Sequence, residues 1–345
     1  MFDVITIGSV TRDNFLESDF PIINDSGAPS GKAIALPFGE KLEVKKVYST
    51  IGGNSANASV TFARQDLRTA CFGKVGEDLA GREIAERLKK EKVQSLFSKS
   101  KEKSTAYSVL LLEKGERTIL GHHGASDTLI KEDIPWSKLK ASWWYLSLAG
   151  ESDKLLGILL AFARKNKIKV AFNPSGHHIQ HKRKEILAHL KDLAFLVLNA
   201  GEAADLVGIP FNKEKEVFKK LDKLTPGIVA VTDGPNGVTV SDGKYLYKAG
   251  IFKERRVADR TGAGDSFGSG FVAGLMSRAD KPNRTDKSDR TDRTYSSEAI
   301  KYAIRLASAN ATSVVEHIGA TEGILTKREF ENPRWHKFKI EIKKL

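Results

Sequence analysis

The sequence predicts an α/β protein: a three-layer α/β/α domain carrying a small β-sheet lid. Three observations lead there. From residue 141 onward, short apolar runs alternate with amphipathic segments, the pattern of a parallel sheet with helices on both faces. Two other groups of short strand candidates, near 10–48 and 105–121, break that alternation and suit a separate small sheet. Finally, 345 residues with 40% hydrophobic and 29% charged side chains match an ordinary globular chain. Disordered, collagen-like and disulfide-stapled classes are excluded.

The elements follow in order. Val4 to Ile7 is the first strand, and Thr69 to Phe72 a second. Between them Pro21, Gly27, Pro29, Gly31 and Pro37 break the chain into short strands and turns. A helix is predicted after Gly52-Gly53, from about Ser55 to Gln65. Another spans Leu79 to about Lys92, with Leu79, Ile84, Ala85 and Leu88 at helical spacing. Ala106 to Leu112 and Arg117 to Gly121 read as a hairpin. Strands then follow at Trp143 to Leu148, Lys169 to Phe172, Phe195 to Leu198, Ile228 to Thr232 and Gly237 to Ser241. Amphipathic stretches such as Asp153 to Lys165 and Lys182 to Lys191 fill the gaps. The expected organisation is a single domain over 1–330, with lid segments at about 11–48 and 104–122. A polar insert of Arg-Thr-Asp near-repeats, without large apolar residues, occupies about 279–295 as a solvated loop. Residues 331–345 are expected as a basic C-terminal tail.

Charge and cysteine content narrow the setting. Lys plus Arg is 56 against 43 acidic residues, a net +13. Such a surface suits nucleic acid, anionic lipid or phosphorylated small molecules. No zinc-finger spacing or RNA-binding aromatic signature accompanies it, so a solvated basic surface is expected and a nucleic-acid partner is not. The longest apolar stretch, Leu155 to Ala163, is far short of a membrane span, so no membrane partner is expected. The lone Cys71 and a first strand beginning at Val4 lead to the expectation of a reducing, cytoplasmic home. The pairs His122-His123 and His177-His178, with His181, are expected on polar surface loops, since no acidic partner stands at ligand spacing.

The most informative stretch is Asp259-Arg260-Thr261-Gly262-Ala263-Gly264-Asp265-Ser266-Phe267. Gly262 and Gly264 permit a tight turn into the apolar segment that follows. Backbone amides at such a helix start bind anions, phosphate above all. Asp265 places a carboxylate beside that site. It suits a base awaiting a hydroxyl proton, and equally an N-cap after a glycine turn; spacing alone leaves both open. Neither G-x-G-x-x-G nor a P-loop is present. Other glycine-bearing turns follow strands or precede helices: Gly8 to Asp13, Gly52 to Asn57, Asn199 to Glu202, and Val231 to Gly237.

Together and in this order, these segments resemble the ribokinase-like (PfkB) carbohydrate kinase family, from Gly8 to Gly319-Ala320. The block Asp259 to Phe267 matches the family's D-x-T-G-A-G-D-x-F. The resemblance implies a Rossmann-like, ribokinase-type fold and ATP-dependent phosphoryl transfer to a hydroxyl, a primary one, of a sugar. A nucleoside kinase of the same family, or a non-catalytic sugar- or nucleotide-binding regulator on the same scaffold, is the alternative. It further implies Asp265 as general base and Gly262, Ala263 and Gly264 as the anion hole. Asp13, Gly52, Gly53, Asn57 and Glu151 would bind the sugar. Asn199, Thr232, Gly234, Gly237 and Asn310 would bind the nucleotide. Glu202 would hold Mg²⁺, which accompanies ATP, through water, and Asp259 and Thr261 a monovalent cation, K⁺. A homodimer through the lid is the implied assembly.

Overall fold

Alternation along the central strands decides the layering. In the strand Phe2–Gly8, Ile5 and Ile7 enter one apolar core and Val4 another. The strand Ala141–Ser147 repeats this, with Trp144 and Leu146 on the first side and Trp143 and Tyr145 on the second. Successive side chains leave a strand on opposite faces, so strands with large apolar side chains on both need cover on both. The helices Leu156–Lys165, Ala200–Val207 and Glu214–Leu224 supply it on one side. Asn54–Arg64, Ala263–Arg278 and Ser297–Val315 supply it on the other.

The structure, a computed structural model, describes residues 1–28, 30–113, 116–278 and 295–345, the side chain of Glu151 excepted. The polar insert expected at about 279–295 therefore lies, apart from Tyr295, outside the described residues. Among those described, ten strands form the main sheet. Its order from one edge is Ile340–Lys344, Tyr245–Ala249, Val238–Ser241, Ile228–Thr232, Phe195–Asn199, Lys169–Phe172, Ala141–Ser147, Phe2–Gly8, Thr69–Phe72 and Val93–Ser95. Pairing is parallel from Ile228–Thr232 to Val93–Ser95 and antiparallel across the other three strands. The switch has a simple cause. Only a short turn separates Thr232 from Val238, too little for the crossover that parallel strands need.

A second sheet stands apart, in the order Glu116–His122, Ala106–Glu113, Thr11–Glu17, Lys46–Gly52. Phe15, Leu110 and Leu112 form its own small core, with Ile318 from the main body packed against them.

Two expectations are corrected. Residues 331–345 are not a free basic tail. Trp335 is buried, with its ring edge-on to Phe252 at 5.0 Å, and Phe338 stacks on Phe252 at 4.2 Å. Ile340–Lys344 then pairs with Tyr245–Ala249 and becomes the sheet's edge strand. The alternation Ile340-Glu341-Ile342 carried that signal, masked by the lysines around it. Nor do the histidines after residue 175 lie on a loop. Ser175 caps the helix Gly176–His189, its Oγ accepting from His178 N at 3.1 Å, and turns His178 inward. There His178 is fully buried, Nδ1 3.2 Å from the Asp153 carboxylate. Burial pushes its imidazole down to about 4, so it is neutral. Among the described residues no group of three His, Cys, Asp or Glu could hold a metal.

Trp335→Ala should leave a cavity beneath the edge strand and cost about 3–5 kcal/mol. Urea unfolding checks this; an unchanged midpoint would return residues 331–345 to the status of a tail.

Candidate functional site

Ligands of open α/β sheets bind beyond the carboxyl ends of the strands, and the sequence-predicted residues gather there. Gly53 begins the arrangement. Its φ of +87° suits glycine, and a Cβ would lie 2.6 Å from Ser9 O and 2.7 Å from Val10 Cα. This close approach seats the start of Asn54–Arg64 on the turn that follows Phe2–Gly8. Gly52 is as confined, because the Asp13 carboxylate lies against its backbone.

Asn57, buried on that helix, donates its Nδ2 to Asp265 Oδ2 at 2.9 Å. Asp265 sits in the first turn of Ala263–Arg278, and Asn173 Nδ2 stands 3.5 Å from its other oxygen. Burial pushes the Asp265 carboxyl up to about 6 against the stabilising bond from Asn57. Asp13, on the small sheet, is likewise lifted to about 6 by burial, opposed by the Ser108 hydroxyl and reinforced by the charge of Asp259. Asp13 Oδ1 and Asn57 Oδ1 are both buried without a hydrogen-bond partner among the described residues.

The turn before Asp265 is shaped by two glycines for different reasons. Gly262 has φ +78°, and a Cβ would lie 2.5 Å from Ala320 Cβ. Gly264 is exposed, with no atom within 4 Å of where a Cβ would point. It faces a cavity of 250 Å³ that Thr232, Gly234, Gly237, Arg260 and Ala263 also line. The first amides of a helix have no intrahelical acceptor; Ala263 N turns back to Arg260 O at 3.4 Å, which leaves those of Gly264 and Asp265 available beside the cavity.

Asn199, which pairs in register with Thr232, forms a capping box with Glu202. Asn199 Oδ1 accepts from Glu202 N, and Glu202 Oε2 accepts from Asn199 N, both at 2.8 Å. The element thus starts a helix as well as placing a carboxylate. Burial raises the Glu202 carboxyl, and the charge of Asp265 adds to that rise.

Asp259 is 1% exposed. Its Oδ1 accepts from Thr261 N at 3.0 Å and Thr261 Oγ1 at 2.7 Å, and Gly319 N lies 3.4 Å from Oδ2. Arg117 of the small sheet brings its Nε to 3.9 Å from Asp259 Oδ1.

Asn310 departs from expectation. It is buried, its Nδ2 donating to Ser266 O at 2.9 Å and Thr61 Oγ1 at 3.3 Å, while its Oδ1 accepts from Leu325 N at 2.9 Å. It ties three segments together and does not line the cavity; Ser308, Ala311 and Thr312 of the same helix do. Glu151 lies in the turn Gly150–Leu155, and its side chain is outside the described residues. Sequence reasoning missed Asn173 and Arg117. The first had a signal, an Asn-Pro at a strand end two elements before Asn199; the second had none.

A family model for the pfkB family carbohydrate kinases matches residues 22–327. The chain is 29% identical over 228 residues to a ribokinase of Lactococcus lactis subsp. lactis, covering 65% of this chain and 72% of that one. It is 23% identical over 286 residues to an ATP-dependent 6-phosphofructokinase of Thermoanaerobacterium thermosaccharolyticum, covering 80% and 82%. Among solved structures, a ribokinase from Giardia lamblia superposes with a TM-score of 0.75 over 95% of this chain and 97% of that one, at 21% identity. That likeness speaks for the fold.

The raised carboxyl of Asp265 has a stability consequence. A group whose folded pKa exceeds the unfolded value favours the fold at low pH, and that contribution is lost as pH rises through the folded value. Between about 4 and 6 the native protein should therefore lose stability that Asp265→Asn keeps. The variant's advantage should grow by about 1–2 kcal/mol from pH 4 to pH 7. Thermal midpoints across that range check this; a constant offset would mean Asp265 titrates normally.

Proposed function

The chain belongs to the pfkB family of carbohydrate kinases, ATP-dependent phosphotransferases, and on that premise we propose that Asp265 activates a primary hydroxyl of a sugar or nucleoside for attack on the γ-phosphorus of ATP. One observation carries this reading. A carboxylate lifted to about 6 and oriented by Asn57 stands at a helix start, next to Gly264, which lines a cavity. A base tuned towards neutrality takes up a hydroxyl proton and still ionises at working pH. As the acceptor oxygen bonds to phosphorus, its proton passes to Asp265, the bond to the β-phosphate oxygen breaks, and ADP leaves.

Other residues supply positioning and charge, which is most of what phosphoryl transfer requires. In this reading the turn Gly262-Ala263-Gly264 serves the transferring group through its amides left unbonded, Ala263 N being held by Arg260 O. Asp13 Oδ1 and Asn57 Oδ1, buried and without a partner among the described residues, suit the hydroxyls of a polyol, since buried acceptors seek donors. Thr232, Gly234 and Gly237 border the cavity proposed for the nucleotide. Asn199 fixes Glu202, whose raised carboxyl beside Asp265 fits a divalent cation that would relieve their mutual repulsion. Magnesium bound there with ATP would neutralise phosphate charge. This reading does not extend to K⁺ at Asp259 and Thr261, where Arg117 already brings a positive charge.

The small sheet acts as a lid that excludes water from the phosphoryl group. Its outer strand Glu116–His122 has one unpaired edge, with Ile119 and Leu120 exposed. A homodimer joined there would cover that edge, and light scattering reads its mass. We place the enzyme in the cytoplasm, where ATP is available.

ATP consumption against a panel of sugars and nucleosides tests the reading directly. With the best acceptor, Asp265→Asn should lower kcat about 10²–10⁴-fold, with far smaller changes in either KM. Native activity should decline as pH falls through about 6. Near-normal turnover by the variant would remove Asp265 from the mechanism.

Gly264→Val offers a separate check. Its side chain has room in the fold but enters the cavity, so the variant should fold normally and lose at least about 10²-fold in activity. A fully active Gly264→Val would turn the amides away from the phosphates.

A further inference from the structure

The residues around Asp259 do not fit a monovalent cation. Oδ1 already accepts two hydrogen bonds, from Thr261 N and Thr261 Oγ1, and a carboxylate oxygen has two lone pairs to offer. Gly319 N approaches the other oxygen. A guanidinium from the small sheet stands 3.9 Å away, its Nε buried without a hydrogen-bond partner among the described residues. Asp259 is only 1% exposed on its side chain, Arg117 28%. A buried carboxylate needs a compensating charge, and here a side chain of the protein provides one.

We propose that Arg117 occupies the electrostatic place of a monovalent cation at Asp259, making the enzyme independent of K⁺ and the anion-hole turn dependent on the lid. Asp259 bonds Thr261, and Thr261 directly precedes Gly262, so whatever holds the carboxylate holds the turn. Arg117 lies on Glu116–His122, the outer strand of the lid. Its charge therefore reaches the loop only when the lid lies over the body. Arg117 is a positioning residue: it acts on the transferring phosphoryl group through Asp259 and Thr261. The short separation is Coulombic rather than hydrogen-bonded, and in a buried setting such a pair is little screened by salt. The inference rests on the kinase reading above and adds to it where the positive charge comes from.

The decisive measurement is cation replacement. Turnover of the native enzyme, with its best acceptor and saturating Mg-ATP, is compared in chloride salts of K⁺, Cs⁺ and choline at equal ionic strength. The expected result is a spread within about twofold, because an internal guanidinium is not exchanged with the buffer. Arg117→Met, which keeps much of the stem but not the charge, should lose about tenfold or more in choline, the scale of an uncompensated buried charge. K⁺ should restore part of that loss. K⁺ should also raise the variant's thermal midpoint and leave the native midpoint unchanged, a readout that needs no turnover. Arg117→Lys should keep cation independence. A native enzyme that is inactive in choline and rescued by K⁺ would overturn the proposal without touching the kinase reading. So would an Arg117→Met variant as active and as cation-indifferent as the native one. Should that variant not fold, the native comparison and Arg117→Lys decide. A native enzyme that phosphorylates no sugar or nucleoside in any salt would instead sink the kinase reading itself.

Discussion

A carboxylate buried in the first turn of a helix, beside a glycine turn, is the constraint around which this molecule is arranged. Left alone, a buried Asp265 would take a proton and could not ionise near neutrality. The structure resolves this by burying it enough to lift its pKa to about 6 while giving it hydrogen-bond donors, Asn57 on one oxygen and Asn173 near the other. Those donors come from two separate elements, the helix after Gly53 and the turn after Lys169–Phe172. Their convergence requires that both strand ends and both helix starts hold their positions to within a fraction of an ångström. Gly53 and Gly262 permit this, because a Cβ at either place would drive the backbones apart.

Close packing extends the same logic to the far side of the site. Gly274 lets Ala263–Arg278 approach Ser297–Val315 so nearly that a Cβ would lie 2.6 Å from Ala303 Cα. Gly270 faces Ala307 in the same way. Asn310 locks the pair through Ser266 O and reaches Thr61 on the helix that carries Asn57. The helix bearing Asp265 and its partner Ser297–Val315 therefore behave as one body. A residue with no ligand contact can in this way govern the geometry of the chemistry.

What was readable in advance follows from which signals are local. Glycine turns, strand alternation and the Asp259–Phe267 block are local, and the sheet, the helix starts and the position of Asp265 were legible from them. The pairing of Ile340–Lys344 with Tyr245–Ala249 is long-range, and five lysines and arginines near the end spoke louder than two isoleucines. His178 looked like part of a polar run because its inward turn depends on a cap at Ser175 and a carboxylate at Asp153, over twenty residues away. Asn310 had the right neighbourhood but the wrong face: its neighbour Ala311 lines the cavity, and about 100° of rotation per residue turns Asn310 into the core. Arg117 was invisible, since nothing in a strand of alternating character announces that a long side chain reaches a loop of the main body.

The place of the first strand has a consequence for how the chain is made. Phe2–Gly8 lies inside the main sheet, between Thr69–Phe72 and Ala141–Ser147, and the sheet's last edge comes from Ile340–Lys344. A strand made ahead of its neighbours must wait for its Ala141–Ser147 partner, 139 residues further along the chain (Phe2 pairs with Ala141), with apolar side chains on both faces meanwhile partly unsheltered. Pairings of such separation slow folding and lengthen the exposure of sticky intermediates. Synthesis at about 5–20 residues per second makes that wait roughly 7–28 seconds long. A nascent chain with this topology is a natural client for chaperones, and its yield in a foreign host should respond more to growth temperature and translation speed than to any change at the site.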